Sequence, residues 1–170
     1  MKFSPMIFDG SRYVQLPAKV VDSPFEGDSV LSPSGRLVVS RLAGGDDDNS
    51  LGYVIREVKT EKFENNYKID IGRVVATVCL TGAKANISFS ERFMVTHVYG
   101  EETADIILVD LLTGTQHQVT NMPQGSKALF PHFRSDDWFY FLVRSGDEEY
   151  VVASDLAVRL AELSNTEGSQ

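Results

Sequence analysis

One pattern of segments occurs three times along this chain, and it constrains the fold more than any other feature. Short apolar runs stand at 37–41 (LVVSR), 93–97 (FMVTH) and 140–144 (YFLVR), each followed by an acidic or glycine-containing turn. After the turn comes another run, YVIREV, IILVDL or VVASDL, which brings Glu57, Asp110 and Asp155 to one equivalent position. Ahead of them lie first runs ending at Leu31-Ser32, Phe89-Ser90 and Phe133-Arg134. These runs are too short and too rich in β-branched and aromatic residues for helices, so they read as strands joined by tight turns. A unit of ~40–50 residues built this way buries its apolar surface only by stacking on its neighbours. The expected fold is all-β, made of antiparallel four-stranded units over 28–82, 83–125 and 126–158.

The rest of the chain is arranged around that repeat. Residues 1–27 are punctuated by Pro5, Gly10, Pro17, Pro24 and Gly27. Proline excludes a central strand there, so the segment is a lead-in, an edge or a clasp. GGDDDNS reads as a loop, and EKFENN as a polar break before YKIDIG and VVATVCLTG, either of which fits a fourth strand. QHQVT is a weaker outer strand. AVRLAELSNTEGSQ has the pattern of a short helix running into a tail, 159–170.

The motifs carry a resemblance. LSPSGRLVV is similar to the "FSPDG" first-strand signature of TolB-like and related WD-repeat-type β-propellers, with Ser34 in place of the usual Asp. VDLLTG, from Val109 to Gly114, is similar to their "DL-x-TG" turn. The other two units depart from it: ISFSERFMV lacks Pro-Asp-Gly, and HFRSDDWFYF keeps Asp136 but has Asp137 where glycine is usual. The resemblance covers about residues 28–156 and implies four-stranded blades in a partial or small propeller. Three units are fewer than the 4–8 blades of a closed ring. Completion is expected from residues 12–21 acting as a closing strand, from a degenerate fourth blade, from a second copy, or from a longer chain. The outward flanks of the end units, with Phe139, Phe141 and Val38, would otherwise be bare.

Composition excludes several functions. A net charge of −8 argues against a phosphate-backbone partner, so no nucleic acid is expected. The single cysteine, Cys79, permits no internal disulfide and no CxxC site, and its apolar run VVATVCLTG places it buried and inert in a strand. The opening MKFSPMIFDGSRYV lacks the apolar core of a signal peptide, and no run reaches the ~20 residues of a membrane span. The expectation is a chain without membrane insertion, cytoplasmic unless it is a trimmed periplasmic fragment.

Candidate chemistry is sparse. His97, His117 and His132 are the three histidines, and none has metal-ligand spacing, so no metal and no cofactor are expected. Asp46, Asp48 and Ser50 alternate as in a calcium loop but lack its later glycine and glutamate, so they read as an acidic hairpin tip. No GxSxG occurs. Trp138, Phe139, Tyr140 and Phe141 read as a strand buried on both faces. Glu57, Asp110 and Asp155 are possible axial acids, which would support a propeller enzyme acting on carbohydrate. They equally suit strand ends that bond turn amides. Arg41, His97 and Arg144 share a register position and would form a binding arc for an anionic ligand or acidic segment, or each would pair with its own acidic hairpin. The leading expectation is a non-catalytic binding or scaffolding module whose partner is another protein or a second copy of the chain.

Overall fold

The apolar runs become strands nearly where their patterning places them. The computed structural model describes residues 2–21, 26–43, 50–63 and 66–167, with fifteen strands and one helix among them. Contacts divide the chain into two compact units, Met1–Cys79 and Leu80–Gln170.

The N-terminal unit begins with β1 (Lys2–Phe3), β2 (Met6–Phe8), β3 (Tyr13–Gln15) and β4 (Lys19–Val20). β2 and β3 form a hairpin and β1 pairs with β4. Asp9 closes the hairpin turn by accepting the Ser11 and Arg12 amides at 2.9 and 3.0 Å. An antiparallel sheet follows in chain order, with β5 (Glu26–Leu31), β6 (Leu37–Ala43), β7 (Ser50–Phe63) and β8 (Asn66–Val78). Lys19 on β4 reaches Asp70 on β8 at 3.0 Å. Val38, Val39, Tyr53, Val54 and Ile55 are all buried, so the inner strands β6 and β7 are covered on both faces there. Glu26 and Arg56 sit within it as a forked ion pair, with contacts of 2.6 and 3.0 Å. A third arm of Arg56 donates to the Gly72 carbonyl at 3.4 Å, so one guanidinium links β5, β7 and β8.

The C-terminal unit holds two meanders. β9 (Asn86–Ile87), β10 (Phe93–Tyr99), β11 (Ala104–Asp110) and β12 (Gln116–Gln118) form one of four strands. β13 (Ser126–Phe133), β14 (Phe139–Ser145) and β15 (Glu148–Ser154) form one of three, joined to β11 by a parallel bridge between Ala104 and Lys127. Helix α1 (Leu156–Glu167) begins directly after β15, where Ser154 Oγ accepts the Leu156 amide at 3.2 Å. A single core joins Phe93, Val95, Ile106 and Leu108 to Phe139, Phe141, Val143 and the helical Ala157, with Leu156, Leu160 and Ala161 packed against it.

The repeat is visible in the turns. Ser32 and Ser88 each donate their amide to the carbonyl five residues on, Leu37 and Phe93, at 2.9 Å, and their hydroxyls accept the amides of those same residues. In the third turn Arg134 bonds Trp138 instead, one residue sooner. The residue three beyond each start is left-handed: Gly35 (φ 72°), Glu91 (φ 57°) and Asp137 (φ 61°). The first strands therefore align at Ser32, Ser88 and Arg134. The expected alignment at Phe89-Ser90 is two residues late, because a second Phe-Ser-like pair follows the true one.

Other expectations are corrected as well. EKFENN is no break: β7 runs to Phe63 and β8 starts at Asn66, so YKIDIG and VVATV form one strand. Only residues 64 and 65 between them lie outside the described residues. Cys79 follows the end of β8 and is exposed, because its apolar run lies on the outermost strand of the sheet, where Val74 and Val75 are also exposed. Residues 12–21 pair with β1 and β2 and not with the last strand. Phe139, Phe141 and Val38 are buried and form no bare flank.

Two measurements follow. Glu26→Ala strands the Arg56 guanidinium and is expected to lower unfolding free energy by ~3 kcal/mol or more, and a loss under ~1 kcal/mol in chemical denaturation would show the pair to be solvated. Cys79 is expected to react completely with a thiol reagent in the native protein, and protection until unfolding would contradict its exposed position.

Candidate functional site

Alternation along β14 sends Phe139, Phe141 and Val143 into the core and leaves Trp138, Tyr140, Leu142 and Arg144 on the other face. The pairing of β14 extends that face sideways: Tyr140 stands opposite Ala153 and His132, Leu142 opposite Val151, and Arg144 opposite Glu149 and Lys127. The result is an apolar strip with Tyr140 40% and Val151 70% exposed, and Trp138 (38%) at its end. Lys127, Arg144 and Glu149 form a charged margin, and Arg144 and Glu149 are themselves paired.

The turn alignment shows what this face is. Trp138 takes the place that Phe93 has in the preceding meander, and Tyr140 that of Val95. Through the strand pairing, Val151 corresponds to Ile106 and Ala153 to Leu108. In the preceding meander all four positions are fully buried, in contact with the face of the sheet that follows. In the third meander they are open.

His97, one of the residues expected in a binding arc, is fully buried at the end of β10. The Phe130 amide donates to its Nδ1 at 3.4 Å, which leaves the ring proton on Nε2, 3.3 Å from the Tyr99 hydroxyl. The rings of Tyr99 and Phe130 meet it edge-on at 5.1 and 5.4 Å. Phe130 presents its amide because it is left-handed (φ 53°) at a bulge between Leu129 and His132. Burial, helped by the charge of Lys84, lowers the His97 pKa to about 4, so the imidazole is neutral. Arg144 lies elsewhere, exposed and paired with Glu149, so the C-terminal unit does not bring these two together. Arg41, in the N-terminal unit, lies 3.8 Å from Asp28. The acidic tip at Asp46 and Asp48 that was its other expected partner is outside the described residues.

The three acids also occupy separate settings. Glu57 stands 3.5 Å from Lys59, and Asp155 3.0 Å from Arg159 one helical turn on. Asp110 is buried and held by Arg92 at 2.7 Å, while its Oδ1 accepts the Leu112 amide at 2.9 Å. Burial pushes that carboxyl up, but the Arg92 and backbone hydrogen bonds outweigh it and hold Asp110 below the usual carboxylate range. Arg92 also donates to Ser164 on α1 at 2.7 Å, so the pair anchors the helix. Its geometry is that of a structural clamp.

The chain matches no protein-family model and no curated protein sequence. Among the described residues no cluster of His, Cys, Asp or Glu has the arrangement to hold a metal ion, and no helix is long and apolar enough to cross a membrane. What the geometry offers is an open apolar face with a mixed-charge margin, suited to contact with another sheet or chain. Sequence reasoning missed it by taking Trp138 to Phe141 as buried on both sides. The alternation was legible, but whether anything covers the second face was not.

The His97 geometry sets a pH dependence. Below the ordinary histidine pKa the unfolded chain takes up a proton that the folded protein excludes, so stability falls from about pH 6.5 to about pH 4. The expected loss is on the order of 2–3 kcal/mol. His97→Gln, whose amide can still accept the Phe130 N–H, should flatten the profile in that window, and an unchanged slope would show that other groups set it.

Proposed function

We propose that the chain is a non-catalytic binding or scaffolding module of the β-propeller type, with the three meanders as consecutive blades. Its contact surface is the open face of the third meander, and its partner is another protein or a second copy of the chain. One observation supports this above the others: Trp138, Tyr140, Val151 and Ala153 occupy positions that the preceding meander buries against its successor, yet here they face solvent. A face already shaped for sheet packing, with tyrosine and tryptophan at its centre and charge at its margin, has the composition of an interaction surface.

The test is site-specific photocrosslinking in cells from positions 140 and 151, with exposed Lys59 as the control position. Discrete adducts, with one other protein or with a second copy, are expected from 140 and 151 and not from 59. Tyr140→Glu should cut the yield from 151 by about tenfold, the effect of ~1.4 kcal/mol from a charge placed in an apolar contact. If 140 and 151 crosslink no more than 59, the face is ordinary solvent surface and the reading fails.

A further inference from the structure

Sheet edges expose rows of backbone donors and acceptors, and proteins blunt them with bulges, charges, proline or short length. This chain does so at its other edges. β5 carries a register shift between Gly27 and Val30, with Asp28 left-handed at φ 47°. β8 is bulged twice against β7 and bears Lys68, Asp70 and Arg73. β9 and β12 are only two and three residues long. β15 is seven residues long with no bulge and no proline, and its charges, Glu148 and Glu149, are confined to its first two positions. It pairs with β14 without a break from Ser154 opposite Phe139 to Glu148 opposite Ser145, and its centre is Tyr150, Val151, Val152 and Ala153.

The same edge is where a strand is missing. β7 has β8 beyond it and β11 has β12, but among the described residues no strand lies beyond β15. The chain cannot supply one directly, because α1 begins at Leu156 and turns back onto the core.

We infer that β15 is a docking edge for one extended strand of another protein, added antiparallel where β8 and β12 stand in the other meanders. The inference deepens the binding reading above by naming what docks. Antiparallel addition sets the C-terminal end of the incoming strand beside Glu148 and Glu149, next to Asp147 in the turn, so the fitting partner carries lysine or arginine there. A second copy fits poorly. The chain has a net charge of −8, and antiparallel self-pairing about Val151 brings Asp147 opposite Asp155.

The probe is a synthetic peptide of alternating valine and threonine ending in two lysines, with a copy N-methylated on its outward amides as the control. Hydrogen exchange on the intact protein reads the β15 amides. The unmodified peptide at saturation should slow exchange of the outward-pointing amides over Tyr150 to Ser154 by about tenfold or more, and the methylated copy should not. Glu148→Lys combined with Glu149→Lys should weaken binding by about tenfold, and a peptide ending in two glutamates should restore it. Equal binding of the methylated peptide, or no slowing by either, overturns strand addition while crosslinks from position 140 would still support face docking. Amides already protected in the free protein, with a solution mass of two chains, would make a second copy the occupant and overturn the basic-strand assignment.

Discussion

The inner strands of this chain's two larger sheets are apolar on both faces, and the rest of the structure depends on that constraint. On β10, Phe93, Val95 and His97 point one way and Met94 and Thr96 the other, and all five are fully buried. Antiparallel sheets more often keep one polar face toward water. A two-sided apolar sheet is stable only when both sides are covered, since each buried side chain of this size contributes ~1.5–3 kcal/mol. Repetition is the direct solution within the C-terminal unit, where the second meander gives one face to the third. The third has no successor there, and Tyr140 and Val151 on that face stand in solvent.

The turns between first and second strands make the repetition work despite divergent sequence. Serine at 32 and 88 supplies both a backbone and a hydroxyl bond to the residue that opens the next strand. The left-handed position follows, filled by glycine once and by acids twice. A non-glycine residue there costs roughly 1–2 kcal/mol. At Asp137 the cost is offset: its carboxylate accepts the Phe89 and Ser90 amides at 2.9 and 3.3 Å, tying the third turn to the second. Asn86 does the same nearby, accepting the Phe133 amide at 2.9 Å. The departure from glycine at 137 is thus where the third repeat holds the second.

Second and third strands were legible in the first two units because their apolar runs are unbroken and their turns carry glycine or acids. The pairings of Leu37 with Glu57 and of Phe93 with Asp110 follow the register read from sequence. In the third unit the second strand is read two residues late, since Tyr140 pairs with Ala153 and Trp138 holds the place of Phe93. Arg144 therefore does not share the position of His97. Of the first strands, those at Leu31-Ser32 and Phe133-Arg134 were legible and the middle one was not, since the chain offers Phe89-Ser90 two residues after the pair that makes the hydrogen bonds. The long β7 and β8 strands were hidden because EKFENN has the composition of a loop, although Glu61 to Phe63 continue β7 and Asn66 opens β8. Cys79 failed for another reason: the same valines suit an inner or an outer strand, and only the pairing order distinguishes them. The open face was beyond reach for the same cause. Trp138 and Tyr140 look like core residues because their counterparts are core.

The C-terminal helix explains why the third meander stays incomplete. After Ser154 the chain could have turned into a fourth strand, as it does after Asp110, where the tight turn closed by Thr115 leads into β12. Instead Leu156, Ala157 and Leu160 carry it under the shared core, and Arg92 fixes the helix through Ser164 while clamping Asp110. Helix and strand compete for the same residues. The helix wins because it closes the core from below with apolar side chains, whereas a fourth strand would satisfy only one edge of β15. An edge that remains exposed is a lesser penalty than an uncovered core, since water can bond its amides. Those water bonds are also exchangeable for bonds to another backbone at little enthalpic cost, so the arrangement that stabilises the isolated chain leaves β15 able to accept a strand.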